Sequence, residues 1–219
     1  MRTEILTAAQ HAVLDGLKTV PQVAEFYLAG GTALALRHGH RRSVDFDFFR
    51  PTSFDVNELE VALHDAFAEF ERLPSGEQTL YVRLFGVTTS FFRYPYPRLE
   101  DTEPTPWGFG VASDADVAAM KLEAIAGRGS RKDFVDLRIL CRSGLTIEAA
   151  FDLFERKYGT RRSDRYQRLR ALAYFADAER EPMPDMLVPF DWDEAKRFFT
   201  AEAERLLAAE ASPGRAEPQ

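Results

Sequence analysis

Apolar residues along the chain recur with two different spacings, and the change falls near residue 113. Before it, short runs rich in β-branched and aromatic residues alternate with stretches of helical spacing; from Asp114 onward the helical spacing is almost unbroken. This pattern predicts helices over 5–17, 32–38 and 56–70 and strands over 25–29, 44–49, 79–85 and 87–94. The last two strands are separated by Gly86, whose permissive backbone suits a tight turn. Asp114 can cap a helix running to about Gly127, because a side-chain oxygen there accepts from unpaired amides of the first turn. Further helices are expected over 132–142, 147–158, 164–176 and 191–209. The fold class that follows is α/β (α+β): residues 1–113 form a mixed sheet with flanking helices, 114–210 a helical half, and 211–219 a disordered tail.

Composition narrows the class. At 219 residues, 45% hydrophobic and 29% charged, the chain is that of a globular protein with a sizeable core, not a disordered one. Its single cysteine, Cys141, excludes an intramolecular disulfide and a multi-cysteine zinc cage, so any metal must be held by carboxylates or histidines. An acid close to the N-terminus with no apolar stretch behind it argues against a secretory signal. No apolar run approaches the roughly 20 residues of a membrane span, so a cytoplasmic location without membrane contact is the expectation. A net charge of −7 argues against coating nucleic acid by bulk charge, yet the window from Glu155 to Arg170 holds seven basic residues against two acids. That window reads either as a solvated helix surface or as a docking face for RNA or an acidic partner.

Two short segments carry candidate chemistry. In Phe26-Tyr27-Leu28-Ala29-Gly30-Gly31-Thr32 an apolar strand runs through two glycines into a helix, which exposes backbone amides at the positive end of the helix dipole. Such a turn either cradles phosphate or merely lets strand and helix pack closely. In Ser43-Val44-Asp45-Phe46-Asp47-Phe48-Phe49 the period of two places Asp45 and Asp47 on one strand face, opposite Val44, Phe46 and Phe48. Two like charges side by side repel unless offset, and Mg²⁺, which takes one or two carboxylates plus phosphate oxygens and water, offsets them well. Alone, the pair reads better as two solvated acids on an edge strand. One helix and a basic turn, Arg37-His38-Gly39-His40-Arg41-Arg42, separate the two segments, so both can meet at one sheet edge. Amides, metal and arginines gathered on a triphosphate are what phosphoryl or nucleotidyl transfer requires. Zinc is disfavoured, because His38 and His40 lack further ligands at suitable spacing.

The segments Gly30-Gly31-Thr32-Ala33-Leu34-Ala35-Leu36 and His40-Arg41-Arg42-Ser43-Val44-Asp45-Phe46-Asp47-Phe48-Phe49 resemble the signature of the AbiEii/AbiGii nucleotidyltransferase toxins. These belong to the DNA polymerase beta-like nucleotidyltransferase superfamily, whose motif is Gly-Gly or Gly-Ser followed by Asp-x-Asp. Twelve residues separate Thr32 from Asp45, a modest departure from the usual ten or so. A second stretch, Asp116 to Arg128 followed by Arg131-Lys132-Asp133-Phe134-Val135-Asp136-Leu137, resembles the family's distal pattern. At about 100° per residue, Val117, Met120, Ala124 and Ile125 form an apolar stripe that Lys121 and Arg128 interrupt. Cations so placed need anions: either a triphosphate, or a structural ion pair with Asp133 or Asp136.

The resemblance implies a type IV toxin that uses a nucleoside triphosphate and Mg²⁺, with a cognate antitoxin and an acceptor such as a tRNA end. It implies that Asp45 and Asp47 hold the metal, that Gly30, Gly31 and Thr32 cradle phosphate and that Arg42 and Ser43 brace the turn. Lys121 and Arg128 would neutralise the triphosphate, and Asp133 would position or deprotonate the acceptor hydroxyl. One departure stands out. Superfamily relatives place a third carboxylate on the strand beside Asp-x-Asp, whereas residues from Gln78 to Leu99 include no acid. Either Asp133 or Asp136 supplies the missing charge, as the toxin branch of the resembled superfamily implies, or the chain is a degenerate nucleotide- or partner-binding protein; a small-molecule nucleotidyltransferase of the antibiotic-modifying type is a further alternative.

Overall fold

The computed structural model describes residues 1–159 and 162–211, the side chains of 162–164 excepted. The chain divides into two compact units, Met1–Val117 with Asp185–Val188, and Ala118–Pro184 with Pro189–Gln219. Among the described residues, no helix is long and apolar enough to cross a membrane.

The first unit is built on a mixed sheet. Helix α1 (Ala8–Leu17) begins at a capping box in which Thr7 and Gln10 each accept from the other's amide. A short 3₁₀ turn, Pro21–Glu25, then occupies the start of the segment expected as strand; Pro21 lacks an amide to give to a sheet. Strand β1 is therefore only Tyr27–Ala29, followed at once by α2 (Gly30–His38), β2 (Phe46–Arg50) and α3 (Val56–Ala66). Helix α3 stops four residues short of expectation because Phe67 turns extended and buries its ring, which leaves β3 (Phe70–Arg72) to pair at the sheet edge. Strands β4 (Thr79–Leu84) and β5 (Val87–Arg93) form a hairpin whose two turn residues, Phe85 and Gly86, have φ of 47° and 77°. Two positive values match the right-handed strand twist. The short strands β6 (Glu103–Pro104) and β7 (Gly110–Val111) complete the order β3-β4-β5-β2-β1-β7-β6. Pairs β2/β5 and β1/β7 are parallel and the rest antiparallel.

The sheet has two unlike faces. Phe46, Phe48, Leu80, Val82, Leu84 and Phe91 have no exposed surface, and α1 and α3 pack against this face. The alternate residues, among them Asp47, Phe49, Tyr81 and Phe92, are half-buried. Asp45 lies just before β2 rather than on it, a correction to the strand expected from residue 44; its neighbours Val44 and Arg42 are exposed.

Helix α4 (Asp114–Gly127) runs as expected, but its cap is Ser113, not Asp114: the Ser113 hydroxyl accepts from the Asp116 amide at 3.1 Å. Asp114 instead holds Arg37 and His38, at 2.9 and 2.8 Å.

The second unit is helical: the remainder of α4, then α5 (Arg131–Arg142), α6 (Ile147–Tyr158), α7 (Arg162–Leu172) and α8 (Trp192–Ala211). Its core is aromatic, with Phe134 packed edge-on against Phe199 at 5.5 Å and Phe151 and Phe154 almost fully buried. The tail expected over 211–219 lies outside the described residues from 212 onward.

Candidate active site

The glycine turn and the acid pair meet in the first unit. β1 feeds directly into α2, and Ala29 at the cap offers no side chain to the first amides. Gly30 has φ +68°, a conformation glycine adopts without strain. β1 and β2 pair so that Ala29 lies opposite Asp47. This brings the Asp47 carboxylate to the turn: a Cβ on Gly30 would stand 3.1 Å from Asp47 Oδ2. Thr32 is buried and donates its hydroxyl to the Asp45 carbonyl. It ties the start of α2 to the chain entering β2 and so positions both aspartates; it is its amide, not its hydroxyl, that remains at the helix end.

The cation nearest the turn is Arg41, which the sequence reading passed over in favour of Arg42. Arg41 is only 4% exposed. Its Nη1 donates to the Arg42 carbonyl at 2.9 Å, and its Nη2 lies where a Cβ on Gly31 would be. Arg42 points elsewhere: it pairs with Asp185 at 3.1 Å and reaches the Ile5 carbonyl at 3.4 Å. The segment is pinned by long-range backbone bonds, from the Arg42 amide to the Asp185 carbonyl at 2.8 Å and from the Leu187 amide to the His40 carbonyl at 2.9 Å. Ser43 contributes its carbonyl, which accepts from Gln10 Nε2 at 2.7 Å.

On the strand beside β2, the residue in register with Asp47 is Ser90, buried at 3% exposure. A hydroxyl, not an acid, therefore stands beside Asp47 on the neighbouring strand. Among the described residues, no group of three or more His, Cys, Asp or Glu side chains is arranged to hold a metal ion. Asp45 and Asp47 are two hard oxygen donors beside exposed amides, a set that suits Mg²⁺ completed by phosphate and water rather than a closed protein cage.

Lys121, Arg128, Asp133 and Asp136 form a separate cluster in the second unit. Lys121 Nζ lies 2.8 Å from Asp133 and 2.6 Å from Asp136; both acids are fully buried and the lysine is 4% exposed. Asp133 also accepts from Arg128 Nε at 2.8 Å and from the Ser130 hydroxyl at 2.8 Å. Burial opposes ionisation of Asp133, but the Lys121 charge and the Arg128 contacts outweigh it and draw its pKa from 3.8 to about 2. Lys121 responds in kind: burial favours its neutral form, yet the charges of Asp136 and Asp133 hold its pKa above the usual value. Arg128 is the member whose side chain reaches solvent, at 60% exposure.

The basic window is less available than its composition suggests. Lys157 is buried, Arg165 pairs with Glu155 at 2.9 Å and Glu210 at 2.7 Å, and Arg168 pairs with Glu123 at 2.9 Å. Arg161 and the Arg162 side chain lie outside the described residues.

Comparison with known proteins bears on this geometry. The model of the nucleotidyl transferase AbiEii toxins of type IV toxin–antitoxin systems matches residues 12–212. An uncharacterized protein of Aquifex aeolicus (strain VF5) is 37% identical over 205 residues, which span 92% of this chain and 98% of that protein. Among solved structures, JHP933 from Helicobacter pylori superposes with a TM-score of 0.53 at 17% identity, covering 96% of this chain and 93% of the other. The nucleotidyltransferase toxin MenT4 of Mycobacterium tuberculosis H37Rv does so with a TM-score of 0.52 at 18% identity, over 98% and 91%.

Proposed function

This chain belongs to the AbiEii family of nucleotidyltransferase toxins, and on that premise we propose that it transfers a nucleoside monophosphate from an NTP to an RNA acceptor, a tRNA end being the first candidate. The observation that carries the reading is the meeting of Asp47 with the Gly30–Gly31 turn beside a buried Arg41. Asp45 and Asp47 would hold Mg²⁺, which when bound neutralises charge on the triphosphate and on the leaving pyrophosphate. The Gly30 and Gly31 amides and the α2 dipole receive phosphate oxygens, and Arg41 adds a fixed positive charge behind them. Thr32, Arg42 and Ser43 act by position, holding the turn to β2 and to the 185–188 segment.

In the step itself, the acceptor hydroxyl oxygen bonds to the α-phosphorus as the bond from α-phosphorus to the bridging oxygen breaks. Pyrophosphate leaves with the electron pair, and the hydroxyl proton passes to solvent or to an Asp45 or Asp47 oxygen. Asp133 is a poor base for that proton, since a carboxyl with a pKa of about 2 holds protons weakly. Its part is to fix Lys121 and Arg128, of which Arg128 is the one whose side chain reaches solvent.

The organism's protection from such a toxin falls to a cognate antitoxin, and a cytoplasmic location supplies both NTP and RNA. Burial pushes the Cys141 thiol up to about 12, so thiol chemistry has no part.

The test is Mg²⁺-dependent label transfer from α-labelled NTP to total RNA. Asp45→Asn with Asp47→Asn should abolish transfer and relieve growth arrest in cells lacking the antitoxin. Undiminished transfer by the double variant removes the acid pair from the mechanism; label appearing only on a small-molecule acceptor removes RNA from it.

A further inference from the structure

The sheet face that carries Asp47 is aromatic. Strand register places Asp47 and Phe49 of β2, Ser90 and Phe92 of β5 and Tyr81 of β4 on this one face. Its rings are contiguous. Tyr81 meets Phe92 at 5.5 Å between centroids, Phe92 stacks on Phe49 at 5.1 Å, Phe49 meets Tyr94 at 5.1 Å, and Tyr94 meets Tyr96 at 4.9 Å. Phe49, Tyr81, Phe92 and Tyr94 are half-buried and Tyr96 is 38% exposed. A solvent-facing sheet surface ordinarily alternates to polar residues, so a run of accessible rings calls for a ligand.

Charge on the same segment points to a polyanion. From Gln78 to Leu99 the chain contains three arginines, Arg83, Arg93 and Arg98, and no acid, in a protein whose net charge is −7. Arg98 is exposed and lies over the Tyr27 ring at 6.0 Å, on the face of Phe49, with which Tyr27 is in register; Arg93 alternates to the opposite face. Rings that present π-faces, flanked by guanidinium groups, are the means by which proteins hold single-stranded nucleic acid. Five rings, each about 5 Å from the next, extend further than one nucleobase, which favours a strand over the base of the donor nucleotide.

We propose that this face is the docking surface for the single-stranded end of the RNA acceptor. Bases stack on Phe49, Phe92, Tyr94 and Tyr96, phosphates meet Arg98, and the strand's terminal hydroxyl is delivered toward Asp47, two residues along β2 from Phe49. The proposal rests on the reading of RNA as acceptor. It differs from docking on the window at 155–170, where Arg165 and Arg168 are engaged in ion pairs while Arg156 and Arg170 are exposed.

The test uses the full chain and a fluorescein-labelled single-stranded RNA of about ten nucleotides, with a duplex of the same sequence as comparison. Two variants are compared with the parent: Phe92→Leu/Tyr94→Leu/Tyr96→Leu, which keeps apolar side chains but removes the rings, and Arg98→Gln, which touches only an exposed side chain. Both should weaken single-strand binding at least about tenfold, leave the calorimetric Kd for a non-hydrolysable NTP unchanged, and raise the KM for RNA in the transfer assay; the arginine variant should also flatten the salt dependence. Unchanged RNA affinity in both variants overturns the proposal, as does a parallel loss of NTP affinity, which would make the face a donor-base pocket, or a preference for duplex. Should the parent bind the strand through these residues yet transfer label only to small molecules, the RNA-acceptor reading fails while the face stands as a nucleic-acid surface. Transfer to RNA with the parent's KM in both variants sinks the face alone.

Discussion

Replacing Lys121 by methionine separates a structural from a catalytic role for the buried cluster. The ammonium lies 2.8 Å from Asp133 and 2.6 Å from Asp136, and neither acid has exposed surface. Methionine keeps the stem volume but removes the charge. Asp133 retains Arg128 and Ser130, and Asp136 loses the ammonium at 2.6 Å. Breaking a buried ion pair from one side costs about 3–5 kcal/mol, and relaxation of the neighbouring side chains toward the lost charge sets the loss near the lower end. Lys121→Met with Asp136→Leu removes the pair from both sides and should recover most of the loss, since an apolar pair of similar volume is close to neutral. Each unit contains one of the two tryptophans, so Trp192 in a Trp107→Phe background reports the second unit alone. Its indole donates to Glu179 at 3.0 Å and faces Arg131 at 5.0 Å, contacts that unfolding would break. In urea the single variant should lower the midpoint by about 1–3 M, taking a slope of about 1–3 kcal/mol/M. A loss below about 1 kcal/mol, or a double variant no more stable than the single, refutes the electrostatic account. If the double variant is stable yet transfers no nucleotide, Lys121 acts on the reaction; if transfer returns with stability, its role is architectural.

Other perturbations address neighbouring links. Asp133 has a pKa lowered from 3.8 to about 2 on folding, so it contributes roughly 2 kcal/mol that is present above about pH 4 and disappears as pH falls toward 2. Urea midpoints of the second unit should decline through that window, and Asp133→Asn should flatten the decline. Gly31→Ala inserts a Cβ where Arg41 Nη2 lies. Because the far end of a long side chain can shift, stability should fall by no more than about 1 kcal/mol, while calorimetric NTP affinity drops about tenfold, the loss expected of a displaced charged contact; unaltered affinity would remove Arg41 from the phosphate site. The buried Tyr27 hydroxyl has no hydrogen-bond partner among the described residues, and burial raises its pKa. Tyr27→Phe should therefore leave the thermal midpoint unchanged or raise it, and a clear drop would reveal a partner for that hydroxyl.

Much of the frame was legible in the sequence, and the misses have physical causes. Helix α4 was readable because its apolar spacing is bounded by Asp114 and Gly127, and the β4–β5 hairpin because Gly86 occupies a position of positive φ. The short strands β3, β6 and β7 carry too few residues for a period to show; they exist because neighbours offer them a ladder. The choice between Arg41 and Arg42 was illegible, since adjacent side chains of an extended segment point opposite ways. What decides it is the Asp185–Val188 return, remote in sequence. Lys157, by contrast, was readable: it stands three positions from Phe154 and seven from Ala150, on the buried stripe of α6. Counting charge by window, without its helical phase, put Lys157 on a surface it does not share.

The missing third acid and the aromatic face are two consequences of one composition. β5 runs beside β2 with Ser90 in register with Asp47, so a carboxylate at 90 would stand about 5 Å from the Asp47 carboxylate. At an effective dielectric constant near 20, that repulsion is about 3 kcal/mol. It would raise the Asp47 pKa and set a second negative charge on the surface where a strand of phosphates must approach. A serine there adds no charge beside Asp47, and it leaves the stretch from Gln78 to Leu99 with arginine as its only charged residue type. On the proposed docking of an RNA strand, fewer acids on β5 would shift the work of binding toward stacking and Arg98. For that reason catalysis by this chain should depend more steeply on salt than catalysis by a relative that carries the third carboxylate.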